Sequence, residues 1–447
     1  MCDLSVESSA EYTLVRHHKR WYFQVDNRNG LITRMSNTVI DGVGVRCLKN
    51  GSWGFACSTD PGDLCTLVKK AEKAAESSAA KKKHKTKIGP APTHTGEWVS
   101  PVKEPVTDAN TEEIIQFLKE TDTRKEYPGI ISQHVSFLTT IDSKELATSG
   151  GTHINQKEYR IFCTAAVTAK VSGRIATTNN AVGGQVGTEI FAQDDLKTVV
   201  KEESERALRL APAAIPPGGR YKVVLAPEVA SVLIHEAVGH TAEADVVAGG
   251  SYLSGELGKR VASDCVTLID DGLYPHGFGT YKFDDEGILS QKTVIIEKGY
   301  LRNYLHSRET SDTSTGNARA WLYSREPQVR MTNTYLEPQD YSLEELIEDV
   351  GSGLLLRGIT SGLADHSGNF TLYIPEAQKI EHKKLTDTIY SGVTVSANAF
   401  DLLSQLHAVG DKTTFQLISG VCGKSETAFV GMGAPAVATS VVVGGQA

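Results

Sequence analysis

The sequence predicts an α+β fold, in which an N-terminal α/β domain is followed by a β-rich C-terminal domain. The chain has 447 residues, more than the roughly 100–200 residues of a typical single domain. Helical and strand patterns alternate before residue 211, whereas strands dominate beyond residue 249. Between these parts, the segment APAAIPPGGR at 211–220 holds paired prolines and glycines, which end helices and strands alike. We therefore expect domains at 1–211 and 219–447.

The first part of the N-terminal domain reads as strands, a helix and a connector. Residues 15–60 predict strands, because the Asn-Gly pairs at 29–30 and 50–51 are typical of hairpin turns. A helix is predicted at 63–80, which is rich in Ala, Glu and Lys. The connector at 81–100 begins with a basic run, which we expect to be a solvent-exposed loop without a function of its own.

The second part of the N-terminal domain predicts strands flanked by amphipathic helices. Helices are predicted at 108–124 and 194–210, where apolar residues recur every three or four positions. Between them, 131–184 shows the alternation that is typical of strands. Turns are predicted at 149–151, which is Ser-Gly-Gly, and at Asn179–Asn180.

The C-terminal domain predicts many strands and few helices. A buried strand at 221–226 leads into a helix that begins at Pro227, because proline is tolerated in the first turn of a helix. One further helix is predicted at 341–351. Further strands are predicted at 292–297, 371–374, 388–395 and 436–443.

Composition narrows the class of protein. The formal net charge of -8 argues against nucleic acid as the main partner, since phosphate binding needs a basic face. The start of the chain lacks the features of a signal peptide, and no stretch reaches the roughly 20 apolar residues of a membrane span. The seven cysteines are scattered and contain no C-x-x-C pair, which favours a reducing compartment. We expect a cytoplasmic protein.

The sharpest motif is HEAVGH, at the end of the helix that Pro227 begins. Imidazoles of His235 and His240 can together hold Zn²⁺ through neutral ring nitrogens. Glu236 is placed to reach a water on that metal and to accept its proton as the water attacks a carbonyl. The alternative is two unrelated histidines, one on the surface and one in the core. The motif therefore indicates hydrolysis at a helix-borne metal site.

The spacing of the two histidines requires a distorted helix. Residues five apart lie about 140° apart around an ideal helix, so the rings cannot meet one metal. A π-bulge, or a helix that ends between them, would bring them together. Gly239 precedes His240, and glycine permits such a distortion at low steric cost.

Several residues could complete the site. Catalytic zinc usually has three protein ligands, and Glu243 or Asp245 could be the third or could orient a histidine. Cys422 is the other candidate, because the glycines around it allow close approach; a small buried cysteine is the alternative. The acidic segment 284–287 could bind a hard cation, although a solvated turn is the simpler reading. The loops at 314–319 and 368–370 could line a groove or be ordinary turns.

The motif residues extend into a family resemblance. HEAVGHTAEAD at 235–245 resembles the H-E-A-x-G-H-x-x-E-A-D signature of the TldD/PmbA metallopeptidases, also called modulators of DNA gyrase. Further matching segments follow the same order along nearly the whole chain. They are GVGVR at 42–46, WGFA at 53–56, FDDEG at 283–287, STGN at 314–317, RMTNT at 330–334, GNF at 368–370 and GVCGK at 420–424.

The resemblance implies a zinc peptidase with one ion per subunit. It implies that His235, His240 and Cys422 bind the zinc and that Glu236 is catalytic. It also implies a dimer that encloses the site, formed with a second copy or with a metal-free PmbA/TldE-like paralogue, and unfolded peptides as substrates. Because the metal motif is present, the chain resembles the TldD subunit. Two alternatives remain: a regulatory peptide-binding subunit that does not cleave, and a cysteine hydrolase that uses Cys422 with His235.

Overall fold

The computed structural model of the protein describes residues 4, 7–192, 195–358 and 361–445. Its helices and strands form a mixed α+β fold, which confirms the predicted class. The helices of this described part are all too short or too polar to cross a bilayer.

A seven-stranded sheet forms the N-terminal part, in the order β3-β2-β1-β5-β6-β4, with β7 also paired to β6. The predicted turns at 29–30 and 50–51 are confirmed, since all four of their residues have positive φ. The strands are β1 Tyr12–Arg28, β2 Leu31–Lys49, β3 Ser52–Ser58, β4 Thr95–Val99, β5 Ile130–Thr148, β6 His153–Val171 and β7 Arg174–Gly184.

The turn predicted at Asn179–Asn180 is wrong. Both asparagines lie within β7, opposite Ala166 and Ala165 of β6. The turn instead falls at 172–173, where Ser172 and Gly173 have φ of 50° and 83°. Asn179 and Asn180 are exposed, so their polar side chains remain solvated within the strand. Asparagine is common in turns but is not restricted to them.

In the described residues, the α-helices that accompany this sheet are α1 Leu64–Ala79, α2 Thr111–Glu120, α3 Glu189–Ala192 and α4 Asp195–Leu210. The predicted helices at 63–80 and 108–124 are confirmed within a few residues. The side chain of Asp63 accepts a hydrogen bond from the amide of Thr66 and so caps α1. The predicted start of the last helix, residue 194, lies outside the described residues, and α4 is described from residue 195.

The basic connector is exposed where its lysines lie and ordered further on. Nearly every side chain from 81 to 87 is exposed, as expected. Residues 95–99, however, form β4, which runs parallel to β6 from His153 to Lys157. The sequence does not predict this strand, because its register is set by pairing with a distant segment.

Two larger sheets build the C-terminal part. One has the order β11-β10-β9-β14-β21-β20, and the other the order β15-β8-β22-β18-β17-β16, with β19 paired to β22; β12 and β13 form a separate pair. The strands are β8 Gly219–Leu225, β9 Leu268–Asp271, β10 Lys292–Glu297, β11 Tyr300–Leu301, β12 Ala318–Arg319, β13 Gln328–Val329, β14 Asn333–Leu336, β15 Gly353–Arg357, β16 Ser361–Ala364, β17 Asn369–Glu381, β18 Lys384–Asn398, β19 Ala408–Val409, β20 Gln416–Gly423, β21 Thr427–Ala434 and β22 Val437–Gly445.

Helix α5 lies in the core of the C-terminal part. Its buried Val229 and Leu233 belong to one apolar cluster with Val430 of the first sheet and with Leu372 and Val441 of the second. The end of α5 is therefore held by both sheets, which positions the residues that follow it. The helices of this part are α5 Pro227–Ile234, α6 Ala244–Ala248, α7 Leu343–Val350 and α8 Ala399–Gln405.

The acidic segment 284–287 is buried, so its reading as a solvated turn is wrong. Asp285 is 3% exposed and Glu286 is 5% exposed. Arg16 of β1 and Lys144 of β5 approach Asp285 at 3.1 and 3.5 Å, and Arg46 of β2 approaches Glu286 at 3.5 Å. Cations from the N-terminal sheet make this burial tolerable. Local sequence does not reveal partners more than 130 positions away.

Candidate metal centre

The helix that precedes the motif changes its winding at the first histidine. Helix α5 ends at Ile234, a π-helical turn covers His235–Gly239, and a 3-10 turn covers His240–Ala242. The amide of His240 donates to the carbonyl oxygen of His235, five residues back. The predicted widening of the helix is confirmed. It places the two imidazole ring centroids 5.1 Å apart.

The packing of the π-helical turn against Met331 requires a glycine at position 239. A Cβ at this position would lie 2.0 Å from the sulfur of Met331, which is fully buried. A side chain would therefore force the π-helical turn away from the loop that carries Met331. The glycine permits the close approach of the two segments, in addition to the distortion of the helix.

Cys422 of β20 completes a cluster of three side chains that could ligate a metal. Its sulfur lies 3.0 Å from Nε2 of His240. One potential ligand atom from each of His235, His240 and Cys422 lies within 4.8 Å of the other two. Nδ1 of His235 is buried and has no hydrogen-bond partner among the described residues. Two imidazoles and a thiolate form a donor set that zinc favours, so these residues fit the metal.

Glu243 and Asp245 lie beside this cluster rather than in it. One oxygen of Glu243 is 3.3 Å from Nδ1 of His240, on the side of the ring away from Cys422. Asp245 pairs with Lys424, whose Nζ lies 2.7 Å from both carboxylate oxygens. Of the three candidates for a further ligand, the fold brings only Cys422 into the cluster. Glu243 instead orients His240, a role that carboxylates often have beside metal ligands.

The ionisation of these groups is strongly shifted by their neighbours. Burial opposes charge on the Cys422 sulfur, but His235 and His240 outweigh it and lower the pKa of the thiol to about 5. Burial also opposes charge on His240, yet the sulfur and Glu243 raise its pKa to about 10. For Glu243, burial is outweighed by His240 and Lys424, and its pKa falls to about 2. The metal-free site therefore holds a thiolate, an imidazolium and a carboxylate at neutral pH.

Glu236 lies next to the cluster and is available for chemistry. Its side chain is partly exposed, whereas His235 is 1% exposed. Within the described part of the chain its carboxylate makes no side-chain hydrogen bond and no ion pair. A Cβ on Gly362, in the terminal strand β16, would lie 3.8 Å from Cγ of Glu236. Glu236 thus stands between the cluster and a sheet edge.

Two residues around the cluster escaped the reasoning from sequence. Arg330 is 2% exposed and its Nη2 lies 3.1 Å from the Cys422 sulfur. Lys424 lies 3.1 Å from Glu243. The sequence offered no signal for either role beyond their presence in matching family segments. Asn317, in the loop at 314–319, holds the backbone of Arg330, because its side chain donates to the carbonyl oxygen of Arg330 at 3.0 Å.

Comparison with protein families accounts for nearly the whole chain. Residues 14–77, 104–211 and 218–445 match domain 1, the central domain and the C-terminal domain of the PmbA/TldA metallopeptidases. The chain belongs to the PmbA/TldA metallopeptidase family. Family membership makes it a peptidase and agrees with the resemblance seen in the motifs.

Named relatives of this PmbA/TldA chain are metalloproteases. A metalloprotease of Methanothermobacter thermautotrophicus is 33% identical, over 99% of this chain and 97% of the relative. A TldD homologue of Saccharolobus solfataricus, named a zinc metalloprotease, is 29% identical, over 69% of this chain and 70% of the relative. These names support a metal-dependent peptidase.

Solved structures share the PmbA/TldA fold. A protein from Thermotoga maritima described as a modulator of a DNA gyrase superposes with a TM-score of 0.81 at 19% identity, covering 97% of this chain and 96% of the other. TldE from Thermococcus kodakarensis superposes with a TM-score of 0.78 at 16% identity, covering 98% and 97%. The fold of this chain is therefore shared along its whole length.

Proposed function

We propose that this chain is a zinc-dependent peptidase that holds one Zn²⁺ per subunit through His235, His240 and Cys422. The observation that carries the proposal is the meeting of three ligand atoms within 4.8 Å. They come from a π-helical turn, from the 3-10 turn that follows it, and from a strand more than 180 positions away. Two imidazoles and one thiolate match the ligand types of protein zinc sites.

The side chains around this cluster have different roles in the proposed hydrolysis of a peptide bond. A bound Zn²⁺ supplies Lewis acidity, which makes a water molecule more acidic and a peptide carbonyl more electrophilic. Glu236 accepts the proton of the attacking water and passes it to the departing amine nitrogen. Glu243 holds the ring of His240 in place through Nδ1. Among the described residues the carboxylate of Glu236 has no ion-pair partner, which supports its role as the base.

Substitution of Glu236 tests this mechanism. We expect Glu236→Gln to lower peptide hydrolysis by about 10²–10⁴-fold, the usual contribution of a general base, and to leave bound zinc unchanged. Glu228→Gln is the matched control, because Glu228 is a partly exposed carboxylate on α5, the helix that leads into the turn of Glu236. Glu228 accepts a hydrogen bond from the amide of Gly358. Cys422→Ser should lose zinc. Full activity in Glu236→Gln would refute the assignment, and wild type that binds zinc without cleaving would favour the regulatory alternative.

We infer that the substrates are unfolded or extended peptides. Cys422 lies on β20 and Gly362 lies on β16, and each of these strands ends its sheet within the described residues. Free main-chain groups at such edges bind an extended chain by strand addition, with little preference for sequence. The test compares a stable globular protein with its reduced and denatured form. Cleavage of only the denatured form is expected, and equal rates would remove the inference.

We propose further that the chain works as a dimer, with a second copy or with a metal-free paralogue. Within the described ranges, residues 31–42 of β2 pair with β1 alone, because β3 pairs with 43–49. Their side chains Leu31, Met35 and Val39 are 70, 58 and 54% exposed. An open apolar edge of this kind is normally covered by another chain. Leu31 and Val39 are each four residues from Met35. If two copies of this strand paired about a two-fold axis at Met35, Leu31 of one copy would therefore lie opposite Val39 of the other.

Charge placed at this edge tests the dimer. Met35→Asp should halve the mass measured by light scattering, because two buried carboxylates would oppose each other at the axis. Ile175→Asp is the control, since Ile175 is 60% exposed on the distant strand β7. A mass unaffected by Met35→Asp would place the interface elsewhere.

We propose the cytoplasm as the location. The six described cysteines are free thiols, three of them buried. Free thiols persist in reducing compartments. Fractionation of cells followed by immunodetection tests this assignment.

A further inference from the structure

Arg330 forms hydrogen bonds to the strand that carries Cys422, the candidate thiolate ligand. It is among the largest fully buried side chains of the described residues. Its Nη2 donates to the sulfur of Cys422 at 3.1 Å and to the carbonyl oxygen of the same residue at 3.1 Å. Its Nη1 donates to the carbonyl oxygen of Glu426, just beyond the turn after β20. One guanidinium thus fixes both the sulfur and the backbone that delivers it.

The same guanidinium reaches the second histidine through a carboxylate. Nε of Arg330 lies 3.6 Å from one oxygen of Glu243 and has no hydrogen-bond partner within the described part of the chain. The other oxygen of Glu243 lies 3.3 Å from Nδ1 of His240. Asn317 holds the backbone of Arg330 by two hydrogen bonds, of 2.9 and 3.0 Å. Arg330 therefore links two of the three candidate ligands from a fixed position.

We propose that Arg330 is a positioning residue that sets both the geometry and the electron donation of the metal centre. The inference rests on the proposed function, because it concerns how these side chains present themselves to a metal. A thiolate donates more charge to a metal than an imidazole does, and this weakens Lewis acidity. A charge-assisted hydrogen bond to the sulfur draws electron density back. Lysine cannot reproduce the planar fork that reaches sulfur, carbonyl and carboxylate together.

Cobalt reports directly on the sulfur. In the full-length protein with Co²⁺ in place of zinc, a thiolate ligand gives a near-ultraviolet charge-transfer band. We expect Arg330→Gln to shift this band to longer wavelength, because sulfur without its cationic donor releases charge more easily. We also expect Co²⁺ affinity, measured against a competing chelator, to fall about 10–100-fold. Arg330→Lys should shift the band in the same direction by a smaller amount.

Arg319 provides the matched control. It is a neighbouring, partly buried arginine that donates to the backbone carbonyls of Met331 and Phe429 and contacts no candidate ligand. Arg319→Gln should lower thermal stability and leave the band in place. A band equally unmoved in Arg330→Gln and Arg330→Lys would overturn the inference. Should Arg330→Gln fail to fold, Arg330→Lys alone decides.

The failure of the proposed metal site would look different. Wild-type protein would then show no thiolate band with Co²⁺, and Cys422→Ser would match it. If wild type shows the band and Cys422→Ser loses it, the site stands, and only the position of the band in the Arg330 variants judges the inference. The wavelength of the band is a readout that a merely structural role of Arg330 would not move.

Discussion

A proton and the proposed zinc ion would compete for the same pair of side chains, His240 and Cys422. In the metal-free protein the sulfur is a thiolate at neutral pH, because its pKa is lowered to about 5. The His240 ring is protonated, because its pKa is raised to about 10. Zinc needs the thiolate but also a neutral imidazole. The proton on His240 must therefore leave when the metal enters.

We predict that zinc binding at pH 7 releases about one proton, and that apparent affinity rises about tenfold per pH unit between pH 6 and 9. The sign follows from His240: its imidazolium is lost as pH rises through the pKa, which removes the competitor. Calorimetric titration of zinc in buffers of different ionisation enthalpy measures the proton count.

Glu243→Gln is the control for this titration. It removes one of the two groups that raise the pKa of His240, so fewer protons should be released at pH 7. A proton count of zero in wild type, with zinc bound tightly, would contradict the ionisation described here. A count unchanged in Glu243→Gln would mean that Cys422 alone is enough to hold the pKa of His240 above 7.

At the scale of single elements, the π-helical turn depends on one glycine. A methyl group at Gly239 would meet the sulfur of Met331 at 2.0 Å. We predict that Gly239→Ala lowers the free energy of unfolding by about 1–3 kcal/mol, the usual cost of overpacking, and reduces the zinc content. Chemical denaturation and metal analysis measure the two effects.

Gly423 offers a matched control within the same centre. It follows Cys422 directly, and a Cβ there would meet no atom within 4 Å. Gly423→Ala should therefore retain both stability and zinc. Equal losses in the two variants would mean that glycine near the cluster matters for backbone freedom, and not for the contact with Met331.

Local elements were predictable where their signals are local. The hairpin turns at 29–30 and 50–51, helix α1 with its cap at Asp63, and the break in winding at the histidines all follow from neighbouring residues. Strand β4 and the burial of 284–287 do not, because both depend on partners far along the chain. Arg330 belongs to the same class, since its target sulfur is 92 positions away.

At the scale of the whole molecule, buried ion pairs join the two predicted domains. All strands of the first sheet precede residue 211, and all strands of the other sheets follow residue 219. Asp285, from the second part, meets Arg16 and Lys144 from the first. We propose that 1–211 and 219–447 are separate domains that unfold together. Separating the domains would break these ion pairs and leave the charges without their partners.

The adjacent residues Asp284 and Asp285 test this coupling, because their environments shift their pKa values in opposite directions. Burial raises the pKa of Asp285, but Lys144 and Arg16 outweigh burial and hold it well below the ordinary value. Burial and Glu286 together raise the pKa of Asp284, which favours its neutral form. We predict that Asp285→Asn costs about 3–5 kcal/mol at pH 7, since it removes the buried carboxylate that Arg16 and Lys144 both approach. Asp284→Asn, which mimics a form that is already favoured, should cost less.

The pH dependence gives the sign. A carboxylate with a depressed pKa stabilises the fold fully above its unfolded pKa of about 4, and that stability is lost as pH falls further. The difference in the free energy of unfolding between wild type and Asp285→Asn should therefore shrink below about pH 4. The corresponding difference for Asp284→Asn should not show this same decrease. Urea unfolding at pH 7, 5 and 3.5 measures both variants. A constant difference for Asp285→Asn across this range would show that its carboxylate does not carry the contact between the domains.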